Sequence, residues 1–245
     1  MSALAHIARA TPFHPQWLIR GERSAFAQLM RYSSGLVLDI GCGDRWAESS
    51  LPKGCTYIGL DSLDMGRDRY GSRPTVFADA SRLPLAPGSV DTILLVEVLE
   101  HLAEPEKVLA EAHACLSPRG RLLATMPFLY PVHDAPADFQ RLTEHGIRRS
   151  LERAGFEVEY LAPRLGALQT AALNACLAMG GVARSTLARP GLAWLLLPVW
   201  ALLVPVVNVV AKILSWMAPD WNAMTNGYLF AARKVGGTRR SVGAV

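Results

Sequence analysis

The segment over residues 37–45, V-L-D-I-G-C-G-D-R, constrains the fold of this chain more than any other. An apolar run that contains one acid, Asp39, ends in a glycine-rich turn, which is typical of a buried parallel strand that presents its carboxyl end to a ligand. Gly41 and Gly43 have no Cβ, so the backbone there can turn tightly and approach a ligand closely. The dinucleotide fingerprint G-x-G-x-x-G would require a third glycine at the position of Trp46. Indole cannot replace that glycine, so the sequence disfavours a pyrophosphate-binding turn.

Composition limits the classes to which a chain of 245 residues can belong. That length suits one α/β domain with an addition, or two small domains. Hydrophobic residues make up 51% of the chain and charged residues 19%, which indicates a segment that prefers lipid or a partner. The formal net charge of +4 comes from short, scattered groups of basic residues without interleaved aromatic residues, so we expect no nucleic-acid groove.

Cysteine usage and the N-terminal residues bear on the compartment. The 4 cysteines form no C-x-x-C pair and no cluster with histidine, so we expect neither a disulfide framework nor a metal site. A reducing, cytoplasmic compartment fits that pattern. The N-terminal residues lack a basic start followed by a long apolar run, so the sequence predicts no secretory signal.

Acids also follow the next predicted strands. The run T-Y-I-G-L ends in Asp61, whose carboxylate could accept two hydrogen bonds from the vicinal hydroxyls of a ribose. A short strand over 75–78 ends at Asp79, a wholly apolar strand over 92–96 precedes Glu97, and a fifth strand is expected over 121–126. Each acid alone could be a surface turn residue. Together with the glycine turn, they predict a nucleoside site at the carboxyl edge of a sheet.

This combination resembles the class I S-adenosylmethionine-dependent methyltransferases, in particular the type 11-like group. The shared features are D-x-G-x-G after the first strand, an acid after the second, and an acid followed by a small residue after the third. The resemblance implies an α/β fold with a Rossmann-like, seven-stranded methyltransferase sheet and helices on both faces. It also implies S-adenosyl-L-methionine as the cofactor. The cofactor-binding residues that it implies are Asp39, Gly41, Cys42, Gly43, Asp61, Ser62, Asp79, Ala80 and Glu97.

Candidate catalytic residues follow the fourth and fifth predicted strands. The loop after the fifth strand, T-M-P-F-L-Y-P-V-H-D-A-P-A-D-F-Q-R-L-T, carries His133 and Asp138 where a substrate should approach the sheet. His133 is the first choice for a general base, since an imidazole near neutral pKa can take a hydroxyl proton, and Asp138 or Asp134 could orient it. His101, just past the fourth strand, is a further candidate, and the resemblance implies that Glu97 and the Glu100–His101 pair form an acid-rich segment at the cofactor. The alternative is an ordered loop held by an Asp–Arg pair.

The resemblance also sets a domain organisation. It covers residues 36–162 and 226–235 as the methyltransferase domain. An N-terminal capping segment over 1–35 precedes this domain, and a flexible tail over 236–245 follows it. Residues 163–225 form a hydrophobic helical insertion between strands six and seven, far longer than the few residues of a usual connection.

This insertion is the most apolar part of the chain. Residues 192–211 carry no charge, and twenty helical residues reach ~30 Å, enough to cross a bilayer core. The family's last strand lies between strands five and six, so the chain must leave and return at one edge, which requires an even number of spans or none. Trp194, Trp200 and Trp216 suit an interfacial position. Two interpretations remain: a helical hairpin over residues 164–216 that enters one leaflet or crosses twice, and a hydrophobic cap on the enzyme. The interfacial residues favour a monotopic hairpin that contacts a membrane surface.

These expectations predict an S-adenosylmethionine-dependent methyltransferase. Its acceptor would be the oxygen of a membrane-associated, lipid-linked or glycan-type molecule at the cytoplasmic face of a membrane. The loop after the fifth strand also resembles a subgroup linked to glycan and lipid modification. The alternative is a membrane-associated, non-catalytic scaffold that retains the cofactor fold, and a nicotinamide oxidoreductase is disfavoured by Trp46. The sequence leaves open which acceptor is used and whether O, N or C receives the methyl group.

Overall fold

The computed structural model describes residues 10–20, 23–189, 191–219 and 221–235. The chain divides into two compact units. The first unit contains the described residues up to Phe26, together with Pro127–His133 and Pro163–Tyr228. The second unit contains Ala27–Met126, Asp134–Ala162 and the described residues from Leu229 onward. The predicted flexible tail over 236–245 lies outside the described residues.

The strands form a seven-stranded sheet with the order β3-β2-β1-β4-β5-β7-β6. They are β1 (Leu36–Ile40), β2 (Thr56–Asp61), β3 (Val76–Phe77), β4 (Val90–Val96), β5 (Leu116–Pro127), β6 (Phe156–Pro163) and β7 (Gly227–Lys234). β1 lies in parallel between β2 and β4, and β5 continues the parallel array beyond β4. This order confirms the predicted Rossmann-like sheet, with its last strand placed between β5 and β6.

β1 is an inner strand of the sheet, and its sequence explains why. Val37, Leu38 and Ile40 are at most 1% exposed. A parallel strand that is covered on both faces needs apolar side chains at consecutive positions, and not only at alternate ones. Asp39 is the polar exception and is 2% exposed, next to the carboxyl end of the strand. A carboxyl group buried in such a strand costs free energy unless it is hydrogen-bonded or paired.

The described residues also contain six α-helices. They are α1 (Trp17–Arg20), α2 (Arg23–Met30), α3 (Pro105–Cys115), α4 (Glu144–Arg153), α5 (Ala167–Leu187) and α6 (Leu197–Met217). Single 3₁₀ turns cover Trp46–Ser50, Leu99–His101 and Leu192–Leu196, and a π-helical segment covers Leu63–Tyr70. α3 begins at Pro105, which has no N–H to leave unsatisfied, and it buries Val108, Leu109 and Ala112 at helical spacing.

Two predicted strand boundaries differ from the structure. The strand expected over 75–78 is reduced to the two residues of β3, both exposed, because β3 is an edge strand that pairs with β2 alone. The fifth strand begins at Leu116, five residues earlier than the expected start at Arg121. A register shift between Val90 and Thr92 accommodates these extra residues. The backbone at Gly120 lies close to the Leu116 side chain, and a Cβ at this position would be only 2.8 Å from it.

In the first unit, α5 and α6 form an antiparallel helical hairpin. The indole Nε1 of Trp194 donates a 3.0 Å hydrogen bond to the Thr186 carbonyl at the closed end. Cys176 Sγ lies 3.6 Å from Asn208 Oδ1 midway along the hairpin. An apolar cluster fills the open end: Leu18, Leu165, Ala172, Leu173 and Ala211. The hairpin confirms the predicted helical insertion between strands six and seven.

Candidate active site

The turn after β1 is shaped by its glycines. Gly41 has a φ of +73°, and a Cβ at this position would lie 2.5 Å from Cγ2 of Val98. The N–H groups of Gly41 and Cys42 both donate to the Leu60 carbonyl, which ties the turn to the end of β2. Gly43 has a φ of +52°, and a Cβ there would have no neighbouring atom within 4 Å. The turn therefore needs glycine at position 41, where a side chain would clash with Val98, and it leaves open space beside Gly43.

Asp61 closes the second side of this turn. Its Oδ2 accepts a 3.0 Å hydrogen bond from the Gly43 N–H, and its Oδ1 accepts a 2.8 Å hydrogen bond from the Ser62 N–H. The side chain is 7% exposed. Each carboxylate oxygen accepts more than one hydrogen bond, so the group retains capacity for a ligand's hydroxyls. The structure thus brings together Asp61, Gly43 and Ser62, three of the residues that the resemblance implies for cofactor binding.

Gly66 makes the position of Asp61 possible, although it is not among the predicted site residues. A Cβ at Gly66 would lie 2.4 Å from Cγ of Asp61. Ser62 caps the π-helical segment that contains Gly66, by accepting a hydrogen bond from the Met65 N–H. The sequence signal is a glycine within L-D-M-G-R-D-R-Y, shortly after the strand-end acid.

Asp39 is held by a side chain that is also absent from the predicted site. The Tyr57 hydroxyl donates a 2.6 Å hydrogen bond to Oδ2 of Asp39. Burial raises the pKa of Asp39 to about 7, against the lowering effect of this hydrogen bond. The Arg45 guanidinium lies over the Tyr57 ring, 4.9 Å from its centroid, and pairs with Glu48. Asp39 therefore changes its protonation state near neutral pH.

Cys42 contributes packing and backbone and no reactive thiolate. Its side chain is 3% exposed and packs against Gly59, where a Cβ would lie 2.9 Å from Sγ. Burial raises the pKa of the Cys42 thiol to about 12. The thiol is thus neutral at physiological pH.

Asp79 and Ala80 follow β3 and border the same strand ends. The Ala78 N–H donates a 3.0 Å hydrogen bond to the Asp61 carbonyl, which fixes this segment beside β2. Asp79 is exposed, and its Oδ1 accepts a 2.8 Å hydrogen bond from the Ser81 N–H. That hydrogen bond lowers the pKa of Asp79, so the group is a carboxylate at neutral pH. Ala80 is half-buried.

Glu97 lies at the end of β4 in a left-handed conformation with a φ of +56°. Its N–H donates to both the carbonyl and Oγ1 of Thr125, and its Oε1 accepts a 2.7 Å hydrogen bond from the Thr125 hydroxyl. A non-glycine residue in this region is unusual and is often found at functional sites. Thr125, which fixes the bend, carries no signal in the sequence.

Glu100 is a buried acid in the segment after β4 that the family resemblance places at the cofactor. It is fully buried, and neither carboxyl oxygen has a hydrogen-bond partner among the described residues. The pKa of Glu100 is raised to about 8, mainly by burial and next by the charge of Glu97, whereas Arg141 has a lowering effect. Buried acids without partners are rare and concentrate at functional sites.

His101 lies beside Glu100 with a defined tautomer. Its Nδ1 is in hydrogen-bond contact with the Ala137 carbonyl, and a carbonyl only accepts, so Nδ1 carries the proton. The neutral ring therefore has its proton-accepting nitrogen at Nε2, which lies 3.7 Å from Oε1 of Glu100. This arrangement suits a general base that shares a proton with the neighbouring carboxyl group.

The loop over residues 134–141 is fastened to the turn that carries His101. The Phe139 N–H donates a 2.8 Å hydrogen bond to the Glu100 carbonyl, and the Gln140 side chain donates to the Leu99 carbonyl. Asp138 forms a two-pronged ion pair with Arg141 and has a side-chain exposure of 2%. The predicted Asp–Arg pair is thus present.

His133 belongs to the first unit, where its ring lies edge-on to Tyr130 with 5.5 Å between the ring centroids. The residues around Tyr130 line an open groove of ≈ 770 Å³ in that unit. Its walls come from the segment after β5, from α5 and from Met224, and they are Phe128, Leu129, Tyr130, Pro131, Asn174, Leu177, Ala178, Gly181, Val182 and Met224. The groove is predominantly apolar, and the sequence did not predict it.

A family model described as a methyltransferase domain matches residues 18–161 of this chain. The matched stretch contains all the predicted site residues from Asp39 to Asp138, and it ends before the helical hairpin.

Two curated proteins are similar over part of their length. The chain is 31% identical over 134 residues to a protein of Mycolicibacterium smegmatis named "Probable S-adenosylmethionine-dependent methyltransferase", with 50% of this chain and 52% of that protein covered. It is 37% identical over 102 residues to an uncharacterized 37.1 kDa protein in transposon TN4556 of Streptomyces fradiae, with 37% of this chain and 30% of that protein covered. The chain thus spans about half or less of the length of these relatives.

Three solved structures share the fold. An S-adenosylmethionine-dependent methyltransferase from Archaeoglobus fulgidus is 17% identical with a TM-score of 0.52, covering 87% of this chain and 94% of that one. The Burkholderia thailandensis 1,6-didemethyltoxoflavin-N1-methyltransferase, with S-adenosylhomocysteine bound, is 18% identical with a TM-score of 0.51, covering 88% and 78%. The [4+2]-cyclase SpnF is 19% identical with a TM-score of 0.51, covering 89% and 81%. At these identities the likeness concerns the fold alone.

Proposed function

The chain belongs to the methyltransferase domain family, that of the class I S-adenosylmethionine-dependent methyltransferases, and on that premise we propose that it methylates an oxygen of a membrane-associated, lipid-linked or glycan-type acceptor. The observation that carries the cofactor part of this proposal is the position of Asp61 between the ends of β1 and β2. Its carboxylate accepts hydrogen bonds from the Gly43 and Ser62 N–H groups. This arrangement keeps an acid and an open glycine turn side by side.

The residues at these strand ends fit S-adenosylmethionine. Gly41 and Gly43 leave the backbone of the turn accessible, and a Cβ at Gly41 would collide with Val98. Asp61 would accept hydrogen bonds from the ribose hydroxyls, and Asp79 with Ala80 would border the adenine. Glu97 would lie at the cofactor's amino-acid end. When bound, the cofactor supplies a methyl carbon made electrophilic by its sulfonium group.

His101 is the residue that we propose as the general base. Its Nε2 would accept the proton from the acceptor hydroxyl as the oxygen forms its bond to the methyl carbon and the carbon–sulfur bond breaks. Glu100, beside Nε2, would share that proton. Positioning of the acceptor and exclusion of water would supply most of the rate enhancement. His133, on the loop after β5, stays a candidate base, and Asp138 would act through its charge and its hold on Arg141.

The acceptor class is supported by the groove in the first unit. The groove residues Phe128 to Pro131 directly follow β5 along the chain, and α5 supplies a second apolar wall. A groove of ≈ 770 Å³ with aromatic and aliphatic walls suits a hydrocarbon chain. The four cysteines, all free, fit a reducing compartment and hence the cytoplasmic face of a membrane.

The proposal is tested by transfer of a labelled methyl group from S-adenosylmethionine into cell extracts. We expect label in the organic-solvent phase, from lipid-linked acceptors, and expect the His101→Gln variant to lose roughly 10²-fold or more in rate. Ala178→Trp should fill the groove and raise KM for the acceptor, whereas Ala171→Trp, on the exposed part of α5, should not. A protein that binds S-adenosylhomocysteine but labels neither phase would be the non-catalytic scaffold.

A further inference from the structure

Helix α6 is attached to the first unit by a narrow stripe of side chains. Asn208 is fully buried, and Val204 and Ala211 are each 6% exposed. The Asn208 amide donates to the carbonyls of Pro12 and His14, at 2.7 and 3.2 Å. These three helix residues lie three or four positions apart, so they occupy one side of α6.

The opposite side of α6 is apolar and exposed along its whole length. Its residues are again three or four positions apart and all large and hydrophobic: Val199, Leu202, Val206, Val209, Ile213 and Trp216. We call them the apolar arc. Leu202 is 69% exposed and Trp216 86%. Soluble proteins expose single apolar residues, but a continuous arc of this length marks an interaction surface.

Length and composition single out the same stretch. Among the described residues, Leu192–Met217 is the one helical stretch long and apolar enough to cross a membrane, and only 11% of its most apolar window is buried. A core helix of a soluble protein would be mostly buried. The low burial therefore separates this stretch from a core helix.

The charges around the hairpin are of one sign. Between Pro163 and Pro219 the sequence has four basic residues and no acid: Arg164, Arg184, Arg189 and Lys212. Four of the chain's 6 tryptophans lie at 194, 200, 216 and 221. Tryptophan and basic residues beside an apolar helix face are typical of a segment that lies at the surface of an anionic bilayer.

We propose that the apolar arc of α6 inserts into one leaflet of an anionic membrane, with the helix lying parallel to the surface. This inference rests on the hairpin and its contact with Pro12 and His14, and it goes beyond the proposed methyl transfer. The contact at Asn208 argues against a crossing, because Asn208 lies near the middle of α6 and binds the irregular backbone around Pro12 and His14. A spanning helix would carry that non-helical backbone into the hydrocarbon core, where its polar groups would lack partners.

The proposal is tested by co-sedimentation of the purified chain with vesicles of phosphatidylcholine, either alone or mixed with an equal part of phosphatidylglycerol. We expect at least about tenfold stronger partitioning onto the anionic vesicles. Leu202→Asp should weaken that partitioning roughly tenfold or more, because it places a charge in the arc. Val235→Asp is the matched control, since Val235 is exposed and lies outside the hairpin, and it should partition like the parent.

Three other outcomes would overturn the proposal. The first is a parent protein that ignores both kinds of vesicle. The second is a lipid-free dimer, seen by light scattering, that the Leu202→Asp variant converts to monomers, which would make a second copy the occupant of the arc. The third is quenching of a Leu202→Trp side chain by lipids brominated near the bilayer centre, which would show a spanning helix.

Failure of this proposal can be told apart from failure of the proposed function. S-adenosylhomocysteine binding, measured by calorimetry on the Leu202→Asp variant, should equal that of the parent. A variant that loses vesicle binding but still binds S-adenosylhomocysteine would show that the substitution affects the apolar arc and leaves the cofactor site intact.

Discussion

The hydroxyl of Tyr57 on β2 donates a 2.6 Å hydrogen bond to the carboxyl group of Asp39 on β1. The pair lies where β1 ends and the glycine turn begins. Burial raises the pKa of Asp39 to about 7, and the hydrogen bond from Tyr57 opposes that rise. The charge of Asp39 therefore changes within the neutral pH range, where burial favours the neutral acid and Tyr57 favours the carboxylate.

Replacing Tyr57 with Phe should destabilise the protein more at high pH than at low pH. At pH 8 Asp39 is largely ionised, and loss of its buried donor should cost about 1–3 kcal/mol of unfolding free energy. At pH 5 Asp39 is protonated and the cost should be smaller. Urea unfolding at both pH values measures the difference. An equal loss at both would show that the phenol acts by packing alone.

Asp39→Asn should flatten the pH dependence of stability. The folded-state pKa of about 7 lies above the ordinary value of 3.8, so between these values the folded protein binds more protons than the unfolded chain. The stability that the parent derives from this group is full below pH 3.8 and is lost as pH rises towards 7, a fall of roughly 4 kcal/mol. Asparagine does not titrate.

The measurement for Asp39→Asn is the free energy of unfolding of variant and parent from pH 4 to pH 8. As pH rises across that range, the free energy of unfolding of the variant should increase steadily relative to that of the parent. Glu100, whose pKa is also raised, is present in both proteins and cancels in the difference. Two parallel curves would mean that Asp39 does not titrate in this window.

Gly41→Ala should destabilise the turn by two separable effects. The φ of +73° costs an alanine about 1–2 kcal/mol, and the contact of its Cβ with Val98 at 2.5 Å adds about 1–3 kcal/mol. Gly54→Ala is the matched control, because Gly54 has a φ of +91° and no atom within 4 Å of a Cβ position. Thermal unfolding of Gly54→Ala measures the backbone cost alone, and the difference between the two variants measures the cost of the contact with Val98. Equal losses would mean that the Val98 side chain yields without cost.

Glu100→Gln should change the pH profile of methyl transfer. The pKa of Glu100 is raised to about 8, so below this value its proton can be donated to Nε2 of His101 and keep that nitrogen from acting as a base. We expect kcat of the parent to rise through about pH 8 and the variant to lack this inflection. His145→Gln, at an exposed helical position, should leave the profile unchanged. A retained inflection in Glu100→Gln would assign the titration to another group.

The strand-end acids could be predicted because each follows an apolar run in the sequence. Asp39 and Asp61 are marked by local patterns of only a few residues, and the order of the strands followed from the family resemblance. The hairpin could also be predicted, since a long uncharged run is typical of an apolar helix.

The partners of these acids could not be predicted, because they come from positions distant in the chain. Tyr57 meets Asp39 across two paired strands, in a register that local sequence does not specify. The resemblance places Glu100 near the cofactor, but local sequence does not specify its burial beneath the loop whose Phe139 N–H binds its carbonyl. Long-range packing decides both contacts.

The central claim, that Asp61 is part of an S-adenosylmethionine site, is tested most directly by calorimetric titration with S-adenosylhomocysteine. Asp64→Ala, which removes a nearby exposed acid, should bind like the parent. Asp61→Ala should bind about 100-fold more weakly, because two hydrogen bonds to a carboxylate contribute about 3 kcal/mol.

Asp61→Asn, which keeps one acceptor oxygen, should bind with intermediate affinity, and circular dichroism should show all three variants folded. Equal binding by Asp61→Ala and the parent, or no binding by the parent, would contradict the account.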